Sequence, residues 1–248
     1  SALGKVLIPG MKKQGYDGGF AASVTAAASV MGPIIPPSIP LVIYGLSVGK
    51  GVSVAALFLG GVIPGLLLAL GLSLVVIWIA RRRNYPRHEA VPFRQLVSSA
   101  GEASWALFMP VLILVGITGG VVTVTESAAI AVLYALFVGI VIHRELGLRN
   151  IGPIFVQTAL DTAVVMIIIA FASGFGWLMA VSGLPRQVAT LITGISDNPL
   201  VILLLINILL LVVGLFMEAI AAMIILLPVL IPIVEAAGID LVHFGLVM

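Results

Sequence analysis

Long apolar runs, separated by short polar or basic stretches, make up most of this chain. Val54–Ala80, Ala103–Val122 and Leu160–Val181 each reach the roughly 20 residues that a helix needs to cross a membrane. Ser127–Ile142 is a shorter run of the same kind. The bilayer interior has no water to pair with backbone groups, so a helix, which pairs them internally, is favoured there. The pattern predicts an all-α polytopic membrane protein.

Two further apolar runs near the end of the chain are shorter than a comfortable span. Leu200–Val213 and Ala219–Val234 are joined by the short stretch Gly214–Glu218. Such a pair favours a re-entrant hairpin that enters and leaves the membrane from the outer side. The alternative is a pair of short, tilted full spans.

The basic residues orient these predicted spans. Cytoplasmic loops of membrane proteins carry an excess of lysine and arginine. Arg81–Arg83 and His143–Arg144 each follow an apolar run, and an even number of predicted crossings separates them. Both loops are therefore predicted to be cytoplasmic, with Lys50 and Arg186 on the outer side.

Composition agrees with a membrane protein and excludes several other classes. Charged residues make up 9% of the chain, whereas soluble domains have about 25%. The 12 lysines and arginines are spread over separate loops, which argues against a nucleic-acid partner. The absence of cysteine excludes disulfides and thiolate metal sites. No acid–base pair, nucleophile or phosphate loop is visible, so neither an enzyme nor an ATP-driven pump is predicted.

The apolar run Gly18–Tyr44 is interrupted by the segment Gly32-Pro33-Ile34-Ile35-Pro36-Pro37. Proline lacks a backbone N–H and clashes with the preceding turn, so the helix must break here. Carbonyls freed at membrane depth need partners. Na⁺ accepts carbonyl and hydroxyl oxygens, and Thr25, Ser29 and Ser38 supply hydroxyls beside the break. We predict a Na⁺ site, the alternative being a structural kink whose hydroxyls bond to their own helix.

Glu218 lies between the two short apolar runs, beside Gly214 and Met217. An ionisable residue inside a membrane segment is a candidate functional residue. At a hairpin tip it would coordinate a cation or stabilise the positive end of the second half-helix. The alternative is an N-cap without a transport role. For Glu126 and Asp161, which we place near the starts of predicted spans, ordinary capping is the preferred interpretation.

One short motif occurs twice, and its two copies lie 223 residues apart. The first copy is Val6-Leu7-Ile8-Pro9 with Gly15 and Asp17, and the second is Val229-Leu230-Ile231-Pro232 with Gly238 and Asp240. In a chain this apolar, a repeat with so long a period indicates a transporter built from two related halves.

Several segments together are similar to a known family. They are Gly15–Asp17, Thr25–Ser29, Gly32–Pro40, Thr123–Ala129, Gly214–Glu218, Leu227–Pro232, Gly238–Asp240 and His243–Gly245. The set resembles the large membrane subunit of tripartite ATP-independent periplasmic (TRAP) transporters, over essentially the whole chain. The family often has Asp at the position of Glu218, and Pro at that of Val124.

The resemblance implies an elevator-type, Na⁺-coupled importer of small organic acids such as C4-dicarboxylates or sialic acid. It implies two inverted repeats, each with a re-entrant hairpin and a broken helix around a Na⁺ site. It also implies the bacterial inner membrane, a small four-helix membrane subunit, a periplasmic substrate-binding protein, and no cofactor besides Na⁺ as the coupling ion. The candidate sodium and substrate residues are Thr25, Ser29, Gly32, Pro33, Pro36, Pro37, Ser38, Gly214, Met217 and Glu218.

Residues 1–248 are predicted to form one transmembrane transport domain, as a fragment of a longer protein. Within it, residues 1–83 would end the first repeat, 84–102 would form a cytoplasmic linker, and 103–248 would form most of the second repeat. On this alignment the partners of the hairpin tip and of the helix break lie outside the chain, so we expect these residues alone to bind Na⁺ poorly.

The alternative function is a channel or scaffold subunit that carries no coupled substrate. A channel is expected to have polar faces along full-length spans. The internal repeat and the two short apolar runs instead favour a secondary transporter.

Overall fold

The computed structural model describes residues 2–49, 51–86, 92–183, 187, 190, 194 and 198–248. Within these ranges the regular structure is helical. The helices are α1 Ala2–Lys13, α2 Gly18–Ser29, α3 Ile39–Val48, α4 Val54–Arg82, α5 Phe93–Thr118, α6 Val124–Phe137 with a π-helical turn Val138–Ile142, α7 Leu148–Ser182, α8 Pro199–Gly214, α9 Ala219–Ala236 and α10 Leu241–Val247. The prediction of an all-α polytopic membrane protein is confirmed.

Four of the described helical segments are long and apolar enough to cross a membrane. They are Val54–Arg82, Val124–Ile142, Arg149–Met179 and Ala219–Ala236. The apolar segments Ile39–Val48, Ala103–Thr118 and Pro199–Gly214 are shorter. α8 and α9 form a helix–turn–helix in which only α8 is shorter than a span, and whether the pair is re-entrant stays a prediction.

Contacts divide the chain into two compact units. Unit 1 consists of residues 1–38 and 58–115, and unit 2 of residues 39–57 and 116–248. In unit 1, α1 packs against α2. In unit 2, α9 packs against α3, α7, α8 and α10. The predicted repeat boundaries do not follow this division and stay a prediction.

The core of unit 2 is built around α9. This helix buries eight side chains, more than any other helix in the described residues. The largest side chains that unit 2 buries fully are Tyr44, Leu57, Ile202, Ile206, Leu230, Ile233, Val234 and Phe244. Residues of α3 and α10 belong to this core, so the segment after the helix break is held by the C-terminal helices.

Two helices start earlier than the apolar runs predict. α5 begins at Phe93 and α7 at Leu148, because hydropathy detects only the apolar part of a helix that continues into polar surroundings. Asp161 consequently lies inside α7, where its Oδ1 accepts a hydrogen bond from Gln157 Nε2 at 2.9 Å. The capping role proposed for Asp161 is wrong.

Some sequence predictions fall outside the described residues. These are the positions of Lys50 and Arg186, and part of the 84–102 linker. The end of α7 is described: Gly183 adopts a left-handed conformation with φ 67°.

Candidate functional site

The predicted helix break is present. α2 ends at Ser29 and α3 begins at Ile39. Between them the amides of Val30, Met31 and Gly32 donate to carbonyls three residues earlier, the tighter pattern typical of a helix terminus. The prolines that follow supply no N–H, so the α-helical ladder cannot continue.

The three hydroxyl groups at the break each donate to a carbonyl of their own segment. Thr25 Oγ1 donates to Ala21 O at 2.8 Å, and Ser29 Oγ donates to Ala26 O at 2.7 Å. Ser38 Oγ donates to Pro33 O across the break. A hydroxyl that donates its proton keeps two acceptor lone pairs. This geometry matches the kink alternative and leaves the oxygens of Thr25 and Ser29 able to coordinate a cation.

The break residues differ in exposure. Ser38 is 2% exposed. Thr25, Pro36 and Pro37 are half-buried, while Ser29, Gly32 and Pro33 are exposed. Ser38 is therefore packed inside at the start of α3, whereas Ser29, Gly32 and Pro33 lie at the surface of the described chain.

The second candidate cluster lies between α8 and α9. α8 ends at Gly214, and three turn residues lead to Glu218. Glu218 Oε2 accepts a hydrogen bond from Ala221 N at 3.1 Å, so Glu218 is the N-cap of α9. Met217 is 36% exposed, and Glu218 is exposed. The cap occupies one of about four lone-pair sites of the carboxylate, which leaves acceptor capacity for a cation.

The two copies of the sequence motif adopt the same local structure. α1 ends at Lys13 and α9 ends at Ala236, which is 223 positions later. Gly15 and Gly238 both have positive φ, at 87° and 68°. This conformation favours glycine because it has no Cβ.

The cap hydrogen bonds repeat at the same offset. Tyr16 N donates to Met11 O at 3.1 Å, and Ile239 N donates to Val234 O at 3.0 Å. Each copy thus ends its first helix with the six-to-one bond of a Schellman motif. The spacing that the two copies share is therefore a spacing between groups that terminate helices.

The acid of each copy starts the following helix. Asp17 Oδ2 accepts from Phe20 N at 3.1 Å, and Asp240 Oδ1 accepts from His243 N at 2.8 Å. An N-cap carboxylate pairs with an otherwise unsatisfied amide and with the positive end of the helix. The sequence repeat is therefore a repeated helix–turn–helix junction.

The repeated helices also present the same face to cavities of similar size. In unit 1 a cavity of about 680 Å³ is lined by Lys5, Pro9 and the hydroxyl-bearing Thr25 and Ser29. In unit 2 a cavity of about 680 Å³ is lined by Pro228 and Pro232 of α9, which lie 223 positions after Lys5 and Pro9. Ser47 and Ser173 also line this cavity. Proline cannot donate to the carbonyl four residues earlier. Each cavity is thus bordered by a proline-interrupted helix and by hydroxyl groups.

Sequence reasoning missed Tyr44, which joins α3 to α10. Its side chain is 1% exposed, and its hydroxyl donates to Leu241 O at 2.7 Å. Its ring meets that of Phe244 edge-on, with centroids 6.4 Å apart. A tyrosine in an apolar run needs a hydrogen-bond partner for its hydroxyl. The sequence therefore indicates that Tyr44 has a partner, but it does not identify Leu241 as that partner.

The capping prediction for Glu126 is confirmed. Its Oε2 accepts from Thr123 N at 2.7 Å, and Glu126 N donates to Thr123 Oγ1 at 3.3 Å. This reciprocal pair is a capping box at the start of α6.

Residues 1–248 match the family described as "Tripartite ATP-independent periplasmic transporter, DctM component". The sialic acid TRAP transporter large permease protein SiaM of Vibrio cholerae is 44% identical over 243 residues, covering 98% of this chain and 56% of SiaM. The isethionate TRAP transporter permease protein DctMQ of Oleidesulfovibrio alaskensis is 40% identical over 249 residues, covering 100% and 39%. The C4-dicarboxylate TRAP transporter large permease protein DctM of Pseudomonas aeruginosa is 37% identical over 248 residues, covering 100% and 58%. The chain therefore spans between 39% and 58% of the length of these relatives.

Proposed function

The chain belongs to the DctM component family of tripartite ATP-independent periplasmic transporters, and from this membership we propose that it acts in the large permease subunit of a Na⁺-coupled importer. The observation that carries the proposal is the repeated helix–turn–helix junction, whose first copy leads directly into the helix break. Inverted repeats with discontinuous helices are typical of secondary transporters, and they bind ions and substrate where helices are interrupted.

The proposed substrate is a small organic anion. The names of the three relatives above specify sialic acid, isethionate and a C4-dicarboxylate. All three are small acids that are ionised at neutral pH. A carboxylate or sulfonate group is the feature that they share, and this supports the class of substrate rather than one compound.

The proposed partners are a periplasmic substrate-binding protein and a small four-helix membrane subunit. The family description specifies a tripartite, periplasmic system. Such a system works at the bacterial inner membrane, where we place this multi-pass chain. We further propose that residues 1–83 and 103–248 belong to inverted repeats that move as an elevator, joined by the linker 84–102.

We propose that Na⁺ binds at the break through carbonyls of the Gly32–Pro37 segment and the hydroxyl oxygens of Thr25, Ser29 and Ser38. Glu218, beside Gly214 and Met217, serves the equivalent site of the other half. Support comes from the acceptor lone pairs that Thr25, Ser29 and Glu218 keep in the structure. A cation beside freed carbonyls also offsets the cost of leaving them unpaired at membrane depth.

The test is uptake by the intact protein in proteoliposomes with its two partners, at varied external Na⁺ and with the three acids above as substrates. Ser38→Ala and Thr25→Val should each raise the Na⁺ concentration for half-maximal uptake by about tenfold, because a ligand to a charged group contributes about 1.5 kcal/mol or more.

Matched controls are Ser104→Ala and Thr158→Val. These hydroxyls also donate within their own helices, to Gly101 O at 2.6 Å and to Ile154 O at 2.8 Å. An equal effect of all four substitutions would support a structural kink over a Na⁺ site. Uptake that does not respond to a Na⁺ gradient would instead support the channel alternative.

A further inference from the structure

The chain folds back at the end of α4 and covers the turn between α1 and α2. Asn84 adopts the left-handed conformation with φ 49°, and Tyr85 N donates to Ala80 O at 3.2 Å. The ring of Tyr85 lies against the rings of Tyr16 and Phe20, at centroid distances of 4.9 Å and 5.0 Å. This aromatic cluster fixes the position of the fold-back within unit 1.

A cavity of about 440 Å³ opens beside the fold-back. Its polar lining residues are Arg81, Asn84, Tyr16 and Tyr85, whose side chains carry a guanidinium, an amide and two phenol hydroxyls. Its apolar lining includes Ile77, one turn earlier on α4. The cavity thus has hydrogen-bond donors next to a hydrocarbon surface.

The apolar side of the cavity continues onto the outer surface of a membrane-spanning helix. α4 is one of the helices long and apolar enough to span. Near its end Ile77 is 46% exposed and Trp78 is 60% exposed. Arg82 lies 5.4 Å from the centre of the Trp78 ring. Tryptophan, tyrosine and arginine at one helix end are typical of the boundary between hydrocarbon and headgroups.

Positive charge predominates among the described residues around the cavity. Arg81, Arg82 and Arg83 end α4, and the side chain of Lys12 lies over Gly18 at the start of α2. The nearby carboxylate of Asp17 caps α2. The three guanidinium groups exceed the partial negative charge at the C-terminus of α4, which is about half a unit.

One of these arginines is hydrogen-bonded to a residue of the cavity lining. Arg83 Nη1 donates to the hydroxyl of Tyr85 at 3.5 Å. This hydrogen bond, the electrostatic attraction of Tyr85 and the charge of Asp17 raise the pKa of Arg83 above its usual value. Of the three arginines, Arg81 is the one that lines the cavity.

We propose that this cavity binds the phosphate group of an anionic phospholipid, whose acyl chains lie along α4 beside Ile77 and Trp78. The guanidinium of Arg81 presents a planar pair of donors that matches two phosphate oxygens. Asn84 and the two tyrosines supply further donors. Basic pockets between membrane helices at the cytoplasmic side are suited to such headgroups. Free phosphate would accept hydrogen bonds from the donors but would leave the apolar lining uncovered.

The experiment measures lipid binding to the intact protein in detergent by native mass spectrometry, with cardiolipin, phosphatidylglycerol and phosphatidylcholine. Arg81→Gln is compared with Arg82→Gln, which removes the same charge from the neighbouring residue that lies over Trp78. We expect Arg81→Gln to weaken cardiolipin and phosphatidylglycerol binding about tenfold, as the loss of a bidentate charged contact implies. Arg82→Gln should weaken it by less than about threefold.

Equal weakening by the two substitutions would overturn the proposal, because it would indicate a diffuse surface charge. So would equal binding of phosphatidylcholine, which carries no net charge. Competition by millimolar inorganic phosphate would assign the cavity to a free anion instead. The measurement needs neither Na⁺ nor substrate, so its failure would leave the proposed transport function untouched.

Discussion

Replacing Gly245 by alanine perturbs the contact that holds α3 against α10. A Cβ at this position would lie 2.4 Å from Cε1 of Tyr44 and 2.9 Å from Cδ2 of Leu57. Both side chains are fully buried. The hydroxyl of Tyr44 is hydrogen-bonded to Leu241 O at 2.7 Å. The ring therefore cannot move aside without losing that bond.

The expected loss of stability follows from two opposing contributions. Alanine in place of glycine favours a helix by about 1 kcal/mol. Inserting a methyl group into a packed core costs about 1–3 kcal/mol, and the immobile ring places this case near 3 kcal/mol. The difference is a net loss of about 2 kcal/mol, which lowers the melting temperature by about 4–8 °C.

Thermal unfolding of the intact protein in detergent measures this difference. Gly71→Ala is the matched control, since a Cβ at Gly71 in α4 meets no atom within 4 Å; it should be neutral or stabilising by up to about 1 kcal/mol. Adding Tyr44→Leu to Gly245→Ala should cost less than the sum of the two single changes. If Gly245→Ala is as stable as Gly71→Ala, the packing of α3 on α10 is not as described.

Three further outcomes are expected. Single cysteines at Asn84 and Asn150 should resist impermeant labels in intact cells, and labelling of either would reject the cytoplasmic assignment of the two basic loops. Glu218→Gln should reduce Na⁺-driven uptake far more than Asp240→Asn, which alters an N-cap of the same kind; similar losses would make Glu218 only a cap. Ser127→Ala should stabilise the protein by about 1 kcal/mol in the same unfolding assay, because the buried Ser127 Oγ has no partner in the described residues. A lower melting temperature would show that this hydroxyl is paired.

The helix ends at the two junctions were predictable from sequence, because their causes are local. The proline-rich break, Gly15 and Gly238, and the acids Asp17 and Asp240 each act on backbone groups within about six residues. A missing N–H, a left-handed glycine and a capping carboxylate have the same effect wherever they occur. The repeat was therefore visible in the sequence before its hydrogen bonds were known.

The extents of α5 and α7 were less predictable for a related reason. Hydropathy marks the part of a helix that lipid surrounds, and both helices extend beyond it at their starts. Their polar first turns carry helix-compatible residues without an apolar pattern. Asp161 was misassigned because the apparent start of its span is the middle of a longer helix.

Tertiary structure alone decided which helices meet. Tyr44 and Leu241 are 197 residues apart, and nothing near either residue specifies the other. In a water-soluble helix a polar face would have indicated which side packs inward. A helix in lipid is apolar on every side, so packing depends on close fit and on scattered polar groups. The sequence thus determined where the helices break and where they are capped. Only the folded chain brought Tyr85 into contact with Tyr16, and packed α3 against α9 and α10.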